Sequence, residues 1–506
     1  MSKPSIYPNS APNSDNWQGA VNGYHPAPQY PSPEPVPIVQ HSEPQRPSAA
    51  SNYPWPPGLA GDIARYIYDT APRPVSEVAV VGALALLAGI CGKAWNTPGT
   101  PTGLNLYLIL VARSGVGKEA MHQGANRLMK VVGQQTQYAA NFINSQTFAS
   151  GTALQKALPA NPSFVNFASE FGQRLAQMAK AKPDSPADSL KNVLLQIYSK
   201  SGKGDEFGGV TYSDNDKSTR TVTGVAFSLA GETTPSTFES LITDSMMENG
   251  FMSRFTVIEY QGERPEENEQ ASLFANPPQE LVSSLATLVV QSQNLIAKQE
   301  VQGVQVDQAA ATMLKAFNLE CDKQINSTDV ESRRQMWNRA YLKALKIACL
   351  LATGVAPYMP TIRPTEAQWA IDLVKRDIQI FSARLEGGDI GDSDLDREKK
   401  IEAVLKSWIE AQPKEDRYLK YLNLWQAGIA PRSFIQARCQ TRAFKDHPSG
   451  ANKALQATLD SLERNGRIRK IPRIDMSKDY DCDIDAYRIL DFEGHVRVPL
   501  PNFWNP

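Results

Sequence analysis

The chain has 506 residues, which suggests two to four domains, and 41% of them are hydrophobic, enough to bury a sizeable core. Charged residues make up 21% and the formal net charge is −1, which excludes a uniformly basic nucleic-acid-binding protein. A local basic domain remains possible.

Cysteines and apolar runs narrow the class of protein further. The five cysteines are scattered and form no CxxC pair, which argues against a disulfide framework and a structural zinc site. The longest apolar run, 78–91, falls short of the roughly 20 residues that a membrane-spanning helix needs. No basic-then-apolar signal segment opens the chain, so we expect a cytoplasmic protein without a membrane partner.

The first 100 residues divide into a tail and a helical segment. Residues 1–52 contain eleven of the 36 prolines and predict a disordered Pro-rich tail. Its stretch 31–37, PSPEPVP, could recruit a replication partner, or the tail could simply be solvated. Residues 53–100 predict an N-terminal helical segment, in which 75–91 is apolar on most faces and should be buried.

Residues 101–262 alternate between apolar runs and helical patterns. The runs at 105–112, 164–167 and 222–230 predict strands. Helical patterns lie near 119–134, 151–158, 171–181 and 187–200. This alternation predicts an α/β fold with a largely parallel sheet.

The remainder of the chain is mostly helical in pattern. Residues 263–390 predict a helical lid domain that ends in a Gly/Asp linker. Residues 391–506 predict a compact helical domain closed by a short strand pair. From Asp396 to Lys478 there are 18 Lys and Arg against 10 Asp and Glu, a net charge of 18 − 10 = +8.

The first predicted strand runs through RSGVGKE, residues 113–119, into a helix. A glycine-rich turn in this setting lets backbone N–H groups point at phosphate oxygens, and the helix N-terminus adds positive potential. The segment is close to the P-loop pattern GxxxxGK[ST]. It predicts a phosphate site formed by Ser114, Gly115, Gly117, Lys118 and Glu119.

Two residues depart from the P-loop pattern. Ala112 stands at the position of the first glycine, and Glu119 stands where Ser or Thr holds magnesium. A carboxylate at that second position repels phosphate unless a metal ion lies between them. Glu119 is therefore a predicted metal ligand.

The second predicted strand ends in Ser169 and Glu170, within SFVNFASEFG. In P-loop ATPases this strand end presents a metal-orienting Asp and then a Glu that polarises the attacking water. Ser169 occupies the Asp position here, whereas Glu170 remains as the predicted catalytic residue and second metal ligand. The alternative is a buried strand that merely ends in glutamate.

The third predicted strand ends in GETTP, residues 231–235, where Thr233 could read the γ-phosphate; a simple turn would explain the same residues. Ahead of it, 208–222 predicts a hairpin with Lys217 and Arg220 near its tip. Those two cations are candidate DNA contacts, with a solvated surface hairpin as the alternative.

Two arginines complete the set of candidate site residues. Arg254 immediately precedes another apolar strand and could neutralise charge on a neighbouring subunit's γ-phosphate, or it could pair locally with Glu248. Arg339 lies beside the apolar stripe of 336–352, with Lys343 one turn later. That pair could cap the phosphates, or it could form the wet side of an amphipathic helix.

Together these segments resemble a family of P-loop ATPases encoded by prophages, plasmids and phage satellites, a domain of unknown function often described as primase-associated helicases. The segments are GVGKEA, ASEFG, GETTP, GFMSRF and WNRAYLKALKIA, and the resemblance covers roughly 54–385. The chain is also similar to the ring ATPases of the MCM helicase group. The resemblance implies an AAA+/RecA-like P-loop NTPase core that binds ATP and Mg²⁺.

The resemblance also implies roles for individual residues. Lys118 would be the P-loop lysine, Glu170 the Walker B glutamate and Arg254 the arginine finger. Thr233 would be the sensor and Arg339 the second sensor. The departures at Glu119 and Ser169 leave open whether bound ATP is hydrolysed.

The basic C-terminal region resembles winged-helix DNA-binding domains in outline, with helices followed by a basic ribbon. Its second or third helix would enter the major groove, and the wing would contact phosphate. An acidic run at 479–485 weakens this basic face, and many winged helices bind protein instead. The candidate DNA contacts here are Arg432, Arg438, Arg442, Arg467, Arg469 and Lys470.

The sequence therefore predicts a DNA-dependent ATPase of a mobile genetic element, acting as a replicative helicase or helicase loader. It would form a homo-oligomer, with a hexameric ring as one possibility, on single-stranded DNA or an origin duplex. The alternatives are a nucleotide-gated origin-binding scaffold with a degenerate ATPase, and a ring ATPase in phage defence or regulation.

Overall fold

The computed structural model describes residues 53–209, 218–241, 246–247, 249–386, 394–445, 447 and 449–490. We number the α-helices in chain order as α1 (Leu59–Asp69), α2 (Ser76–Cys91), α3 (Ala120–Val132), α4 (Gly151–Ala157), α5 (Phe171–Ala179), α6 (Pro186–Ile197), α7 (Pro235–Leu241), α8 (Gln279–Ala297), α9 (Gln308–Asn326), α10 (Glu331–Asn338), α11 (Ala340–Val355), α12 (Pro364–Glu386), α13 (Asp394–Glu410), α14 (Asp416–Leu419), α15 (Leu422–Gln426), α16 (Arg432–Arg438), α17 (Arg442–Lys445), α18 (Ala451–Arg464) and α19 (Arg473–Tyr480). The predicted Pro-rich tail at 1–52 lies outside the described residues.

The strands are numbered in the same way. They are β1 (Trp95–Asn96), β2 (Tyr107–Ala112), β3 (Ile143–Asn144), β4 (Ser163–Ala168), β5 (Glu206–Phe207), β6 (Val222–Thr223), β7 (Ala226–Thr233), β8 (Phe255–Tyr260), β9 (Gln302–Gly303), β10 (Gln305–Val306), β11 (Thr361–Ile362), β12 (Ile429–Pro431), β13 (Ile468–Ile471) and β14 (Ala486–Ile489).

Five strands form one parallel sheet in the order β3-β4-β7-β2-β8. The predicted α/β architecture with a parallel sheet is confirmed. The third strand, predicted at 222–230, is instead two strands, because Gly224, at φ +63°, separates β6 from β7. A left-handed backbone at this position interrupts an extended strand.

The two faces of the sheet are covered by different helices. Leu108 and Leu110 of β2 join a core with α1, α2 and α3, whereas Ile109 and Val111 join a core with α5, α6 and α7. This division follows from the alternation of side chains along a strand. All sixteen residues of α2 are buried, which confirms the prediction from its apolar faces.

The helices predicted as an N-terminal segment and as a lid share one hydrophobic core with the sheet. That core includes Leu84 of α2, Leu285 of α8 and Ile347 of α11. A helix that is apolar all round needs neighbours on several sides, and α2 finds them in the sheet, α1 and α11. Gly89 permits its close approach to the sheet, because a Cβ there would lie 2.8 Å from the backbone nitrogen of Val165.

The C-terminal region has a hydrophobic core of its own, which includes Trp408, Phe434 and Leu459. It packs α13, α16 and α18 against an antiparallel sheet in the order β12-β14-β13. The predicted strand pair is thus a three-stranded sheet, and helix α19 lies between β13 and β14. None of the helices in the described ranges has the length and apolar character needed to cross a membrane.

Candidate functional site

A cleft lies at the carboxyl ends of the central strands. β2 and β7 are neighbours, and they are followed by helices on opposite faces of the sheet, α3 and α7. Such a switch point leaves a crevice, and ligands of open α/β sheets bind there. The cleft encloses about 350 Å³ and is lined by Ser114, Gly115, Lys118, Glu119, Glu170, Gly172, Gln173, Glu232, Thr233, Thr234 and Thr237.

The turn between β2 and α3 is shaped for an anion. Gly115 and Gly117 have φ of +80° and +83°, values that glycine adopts without strain. The backbone N–H groups of Ser114, Gly115 and Gly117 donate to no acceptor within the described part of the chain. These groups and the N-terminus of α3 can therefore receive phosphate oxygens. Lys118 Nζ donates to the carbonyl of Ala112 at 3.3 Å, at the end of β2.

Glu170 follows β4 in a left-handed conformation, with φ 51° and ψ 36°. This conformation costs a non-glycine residue about 1–3 kcal/mol and is often retained at functional sites. The side chain is exposed, and its carboxylate accepts a hydrogen bond from Gln173 Nε2 at 2.8 Å. Ser169 instead lines a smaller cavity beside Phe148 and Arg174.

Thr233 ends β7 and is almost fully buried. Gly172 at the start of α5 touches it so closely that a Cβ there would lie 2.2 Å from Thr233 Oγ1. Glycine at position 172 is therefore required for α5 to reach the end of β7. Thr233 Oγ1 donates to the carbonyl of Thr234 at 3.4 Å, a weak bond that a ligand can replace.

Glu232 is a cleft residue that the sequence reasoning missed. Its side chain is 9% exposed, and Oε2 is buried without a hydrogen-bond partner in the described part of the chain. Burial raises the pKa of Glu232, and the carboxylates of Glu119 and Glu170 also raise it. The charge of Lys118 and a hydrogen bond from the backbone of Glu170 act in the opposite direction. A glutamate at the end of an otherwise apolar strand, as at Glu170, is the sequence signal that could have revealed it.

The predicted metal ligands Glu119 and Glu170 both line the cleft. Within the described ranges, no three His, Cys, Asp or Glu side chains are grouped so as to hold a metal ion by themselves. Mg²⁺ at nucleotide sites usually takes one or two carboxylates, with phosphates and water as the other ligands. The donor set therefore fits a cation that arrives with a phosphate ligand.

Arg254 lies at the opposite edge of the sheet. It precedes β8, whose first residue Phe255 pairs with Tyr107 at the start of β2, whereas the loop with Lys118 follows the end of β2. Six residues of strand separate the two edges by about 20 Å. Arg254 therefore does not join the cleft of its own chain. Its guanidinium donates to the carbonyl of Gly250, and its Nε is buried without a partner among the described residues.

Arg339 and Lys346 lie near Arg254, and we call these three residues the amino-edge cations. The guanidinium of Arg254 and the ammonium of Lys346 lie 6.0 Å and 4.5 Å from the ring centroid of Tyr198. Burial, together with the charge of Arg339, lowers the pKa of Arg254 to about 10. Like Arg254, Arg339 is not among the residues that line the cleft.

Lys343 is neither on a wet helix face nor near the cleft, so both interpretations from the sequence are wrong for this residue. It is 2% exposed, and its Nζ donates to the carbonyl of Phe255 at 2.9 Å and to Asp377. Asp377 also accepts the N–H of Val257 at 2.8 Å. The physical reason is that this face of α11 packs against α12 and the start of β8, so it does not reach water.

Some of the candidate DNA contacts already bind other side chains of the protein, whereas others are exposed. Arg438 pairs with Glu415 and lies 3.7 Å over the ring of Phe434, and Arg467 lies 2.9 Å from Glu402. Arg432 reaches Gln436 and Gln456. The exposed candidates are Arg220, Arg469 and Lys470.

The predicted hairpin is described only at its base, where β5 and β6 pair antiparallel as expected. Lys217 and the side chain of Arg442 lie outside the described residues.

No protein-family model matches this chain, and no curated protein matches it.

Proposed function

We propose that the chain is a P-loop ATPase that binds ATP and Mg²⁺ in the cleft between β2 and β7. The observation that carries this proposal is the meeting of the 113–119 turn, Lys118 and the end of β4 at a switch point of the sheet. The sequence resemblance to mobile-element P-loop ATPases adds to it. In this account the protein is a cytoplasmic DNA-dependent ATPase of a replication apparatus.

The cleft residues divide the work on the nucleotide. The turn amides and Lys118 hold the β- and γ-phosphates, and Glu170 orients the attacking water. Thr233 reads the γ-phosphate from the end of β7. The bound cation supplies charge neutralisation of the phosphates. Hydrolysis then depends on what stabilises the charge on the transferred group.

Two of the amino-edge cations, Arg254 and Arg339, supply that charge to a neighbouring subunit. Arg254 and Arg339 cannot reach the cleft of their own chain, and none of the three cations forms an ion pair with another described residue. A second copy that placed its nucleotide against this edge would give the half-buried guanidinium of Arg254 an anion to neutralise. We therefore propose a homo-oligomer in which Arg339, like Arg254, acts on the nucleotide of the neighbouring subunit.

The C-terminal module is proposed as a winged-helix-like DNA-binding domain. The sheet order β12-β14-β13 with α16 and α18 supports it, as does the local charge of +8. Arg469 and Lys470 are exposed on β13 and are the strongest candidates for phosphate contacts. Arg473 is a weaker candidate, because its side chain contacts Asp485 at 3.1 Å.

A nucleotide-gated scaffold is the second candidate function. Position 169 is a serine that lines a different cavity, so the end of β4 provides no metal-orienting carboxylate. Glu119 stands in place of the usual hydroxyl residue. Both features favour slow or absent hydrolysis with retained nucleotide binding.

The test is ATP turnover by the full chain with and without single-stranded DNA. An enzyme should turn over ATP faster with DNA. The double variant Arg469→Ala/Lys470→Ala should lose that stimulation and keep the basal rate, because it removes proposed phosphate contacts and neither residue lines the cleft. ATP binding without turnover in either condition would favour the scaffold, and equal stimulation of the double variant would contradict the DNA role of β13.

A further inference from the structure

Glu232 occupies a position in the cleft that differs from those of the two predicted acids. It is the penultimate residue of β7, the direct neighbour of β2, and pairs with Leu110 near the end of that strand. Side chains alternate along a strand, so Glu232 shares the face of Leu110 and α3, whereas Thr233 shares the other face with α5. Glu232 therefore lies on the α3 side of the sheet, where the charges of Lys118 and Glu119, just before α3, act on it.

The charges in the cleft do not balance for an anionic ligand alone. Glu119, Glu170 and Glu232 line it together with a single lysine, Lys118, which leaves an excess of negative charge. A nucleoside triphosphate is itself strongly negative, so direct contact with these carboxylates would be repulsive. A divalent cation between carboxylate and phosphate removes that conflict.

The free oxygen of Glu232 is the second observation that points to a ligand. Oε2 is buried, lacks a partner and belongs to a side chain only 9% exposed. Burying a carboxylate without compensation is costly, so such groups usually pair with a cation or a metal. Burial raises the pKa of this carboxyl, and a bound cation would reverse that effect.

We propose that Glu232 supplies a carboxylate oxygen to the divalent cation of the bound nucleotide. In this arrangement Glu232 of β7 supplies the metal-binding carboxylate that is absent after β4, where Ser169 stands. The proposal rests on the nucleotide site proposed above, and it concerns the cation shell only. Nucleotide and cation should then bind with strong mutual coupling.

The experiment measures the affinity of the full chain for ADP with excess EDTA and with saturating Mg²⁺. The ratio of the two dissociation constants is the coupling factor. In Glu232→Gln it should fall at least tenfold, as expected on loss of a group that supports a metal ion. ADP affinity in EDTA should be unchanged or higher, because the variant removes a negative charge that faces phosphate. Glu206→Gln, an exposed glutamate on β5, is the matched control and should retain the coupling factor.

A second variant covers the case in which Glu232→Gln does not fold. Glu232→Asp retains the charge on a shorter side chain, and its coupling factor should lie between those of the wild type and a variant without the carboxylate. Wild-type coupling in both Glu232 variants, or in either one when only that one folds, would overturn the proposal and leave the nucleotide site intact. Failure of the wild type to bind ADP in both conditions would instead overturn the nucleotide site itself.

Discussion

Lys346 is a fully buried lysine that bonds to the side chain of Asn105 at 2.8 Å and contacts Tyr198. Among the residues that the structure describes, it has no carboxylate partner. Burial lowers its pKa from 10.5 to about 7, and the charge of Arg339 contributes to the same shift. Between these two values the unfolded chain binds more protons than the folded protein. The contribution of Lys346 to stability should therefore rise with pH across that window, and be least favourable below pH 7.

We predict that Lys346→Met removes this pH dependence. The free energy of unfolding of the wild type, relative to the variant, should rise by up to about 1.4 kcal/mol per pH unit between pH 7 and 9. Urea denaturation at several pH values measures it. Lys315→Met, an exposed lysine on α9, serves as the control and should leave the slope unchanged. Identical slopes for wild type and Lys346→Met would refute the assignment.

The pair of Lys343 and Asp377 joins three elements. Lys343 comes from α11 and Asp377 from α12, and both also bond to the backbone of β8. Both side chains are at most 2% exposed, so removing one charge leaves the other buried and unpaired. Breaking such a pair costs about 3–5 kcal/mol. The pair thereby fixes the start of β8, directly after Arg254.

We predict that Asp377→Asn lowers the free energy of unfolding by about 3–5 kcal/mol. Glu320→Gln is the control, because Glu320 forms an exposed ion pair with Lys375 at 2.8 Å and should cost at most about 1 kcal/mol. Urea denaturation of both variants gives the comparison. Similar costs for the two variants would mean that the buried pair contributes no more than a surface pair.

Helices, strands and turns could be predicted from the sequence where the signal lies in consecutive residues. The apolar run that became β2 and the glycine-rich turn before α3 were predicted from residue order, as was the acid that follows β4. The joining of α2, α8 and α11 in one core was not predictable, because it depends on which helix faces meet in space. Helix α19 was missed because its residues lack a helical apolar stripe.

The site was predictable to the extent that it depends on strand ends. Parallel strands place their carboxyl ends at one edge, so Lys118, Glu170 and Thr233 could be grouped from the sequence. Glu232 required two further facts: that β7 lies beside β2, and which face its penultimate residue takes. The sequence allowed Lys343 either to cap the phosphates or to lie on the wet face of an amphipathic helix, yet α11 is enclosed on that side.

In the whole molecule, the proposed catalytic groups lie at opposite edges of one sheet. Lys118 follows the carboxyl end of β2, and Arg254 precedes the amino end of β8. Loss of an arginine finger typically costs 10³-fold or more in turnover with little effect on nucleotide binding. Arg254→Ala and Lys118→Ala should therefore each be inactive in isolation.

We predict that mixing the two inactive variants restores part of the ATPase activity. At equal mixing, about one interface in four would combine an intact lysine with an intact arginine from its neighbour. Turnover is measured after co-assembly, which is checked by size and by a tag on one variant. Co-assembly without recovery would assign Arg254 to its own chain or to a structural role.

The most direct test of the account is equilibrium binding of ATP to the full chain in Mg²⁺, by calorimetry. Lys118→Ala should bind at least about tenfold more weakly than the wild type, because a charge-assisted hydrogen bond to phosphate is lost. Lys130→Ala, an exposed lysine at the other end of α3, should bind as the wild type does. Equal affinity of all three proteins, or no ATP binding by the wild type, would contradict the claim that the cleft between β2 and β7 is a nucleotide site.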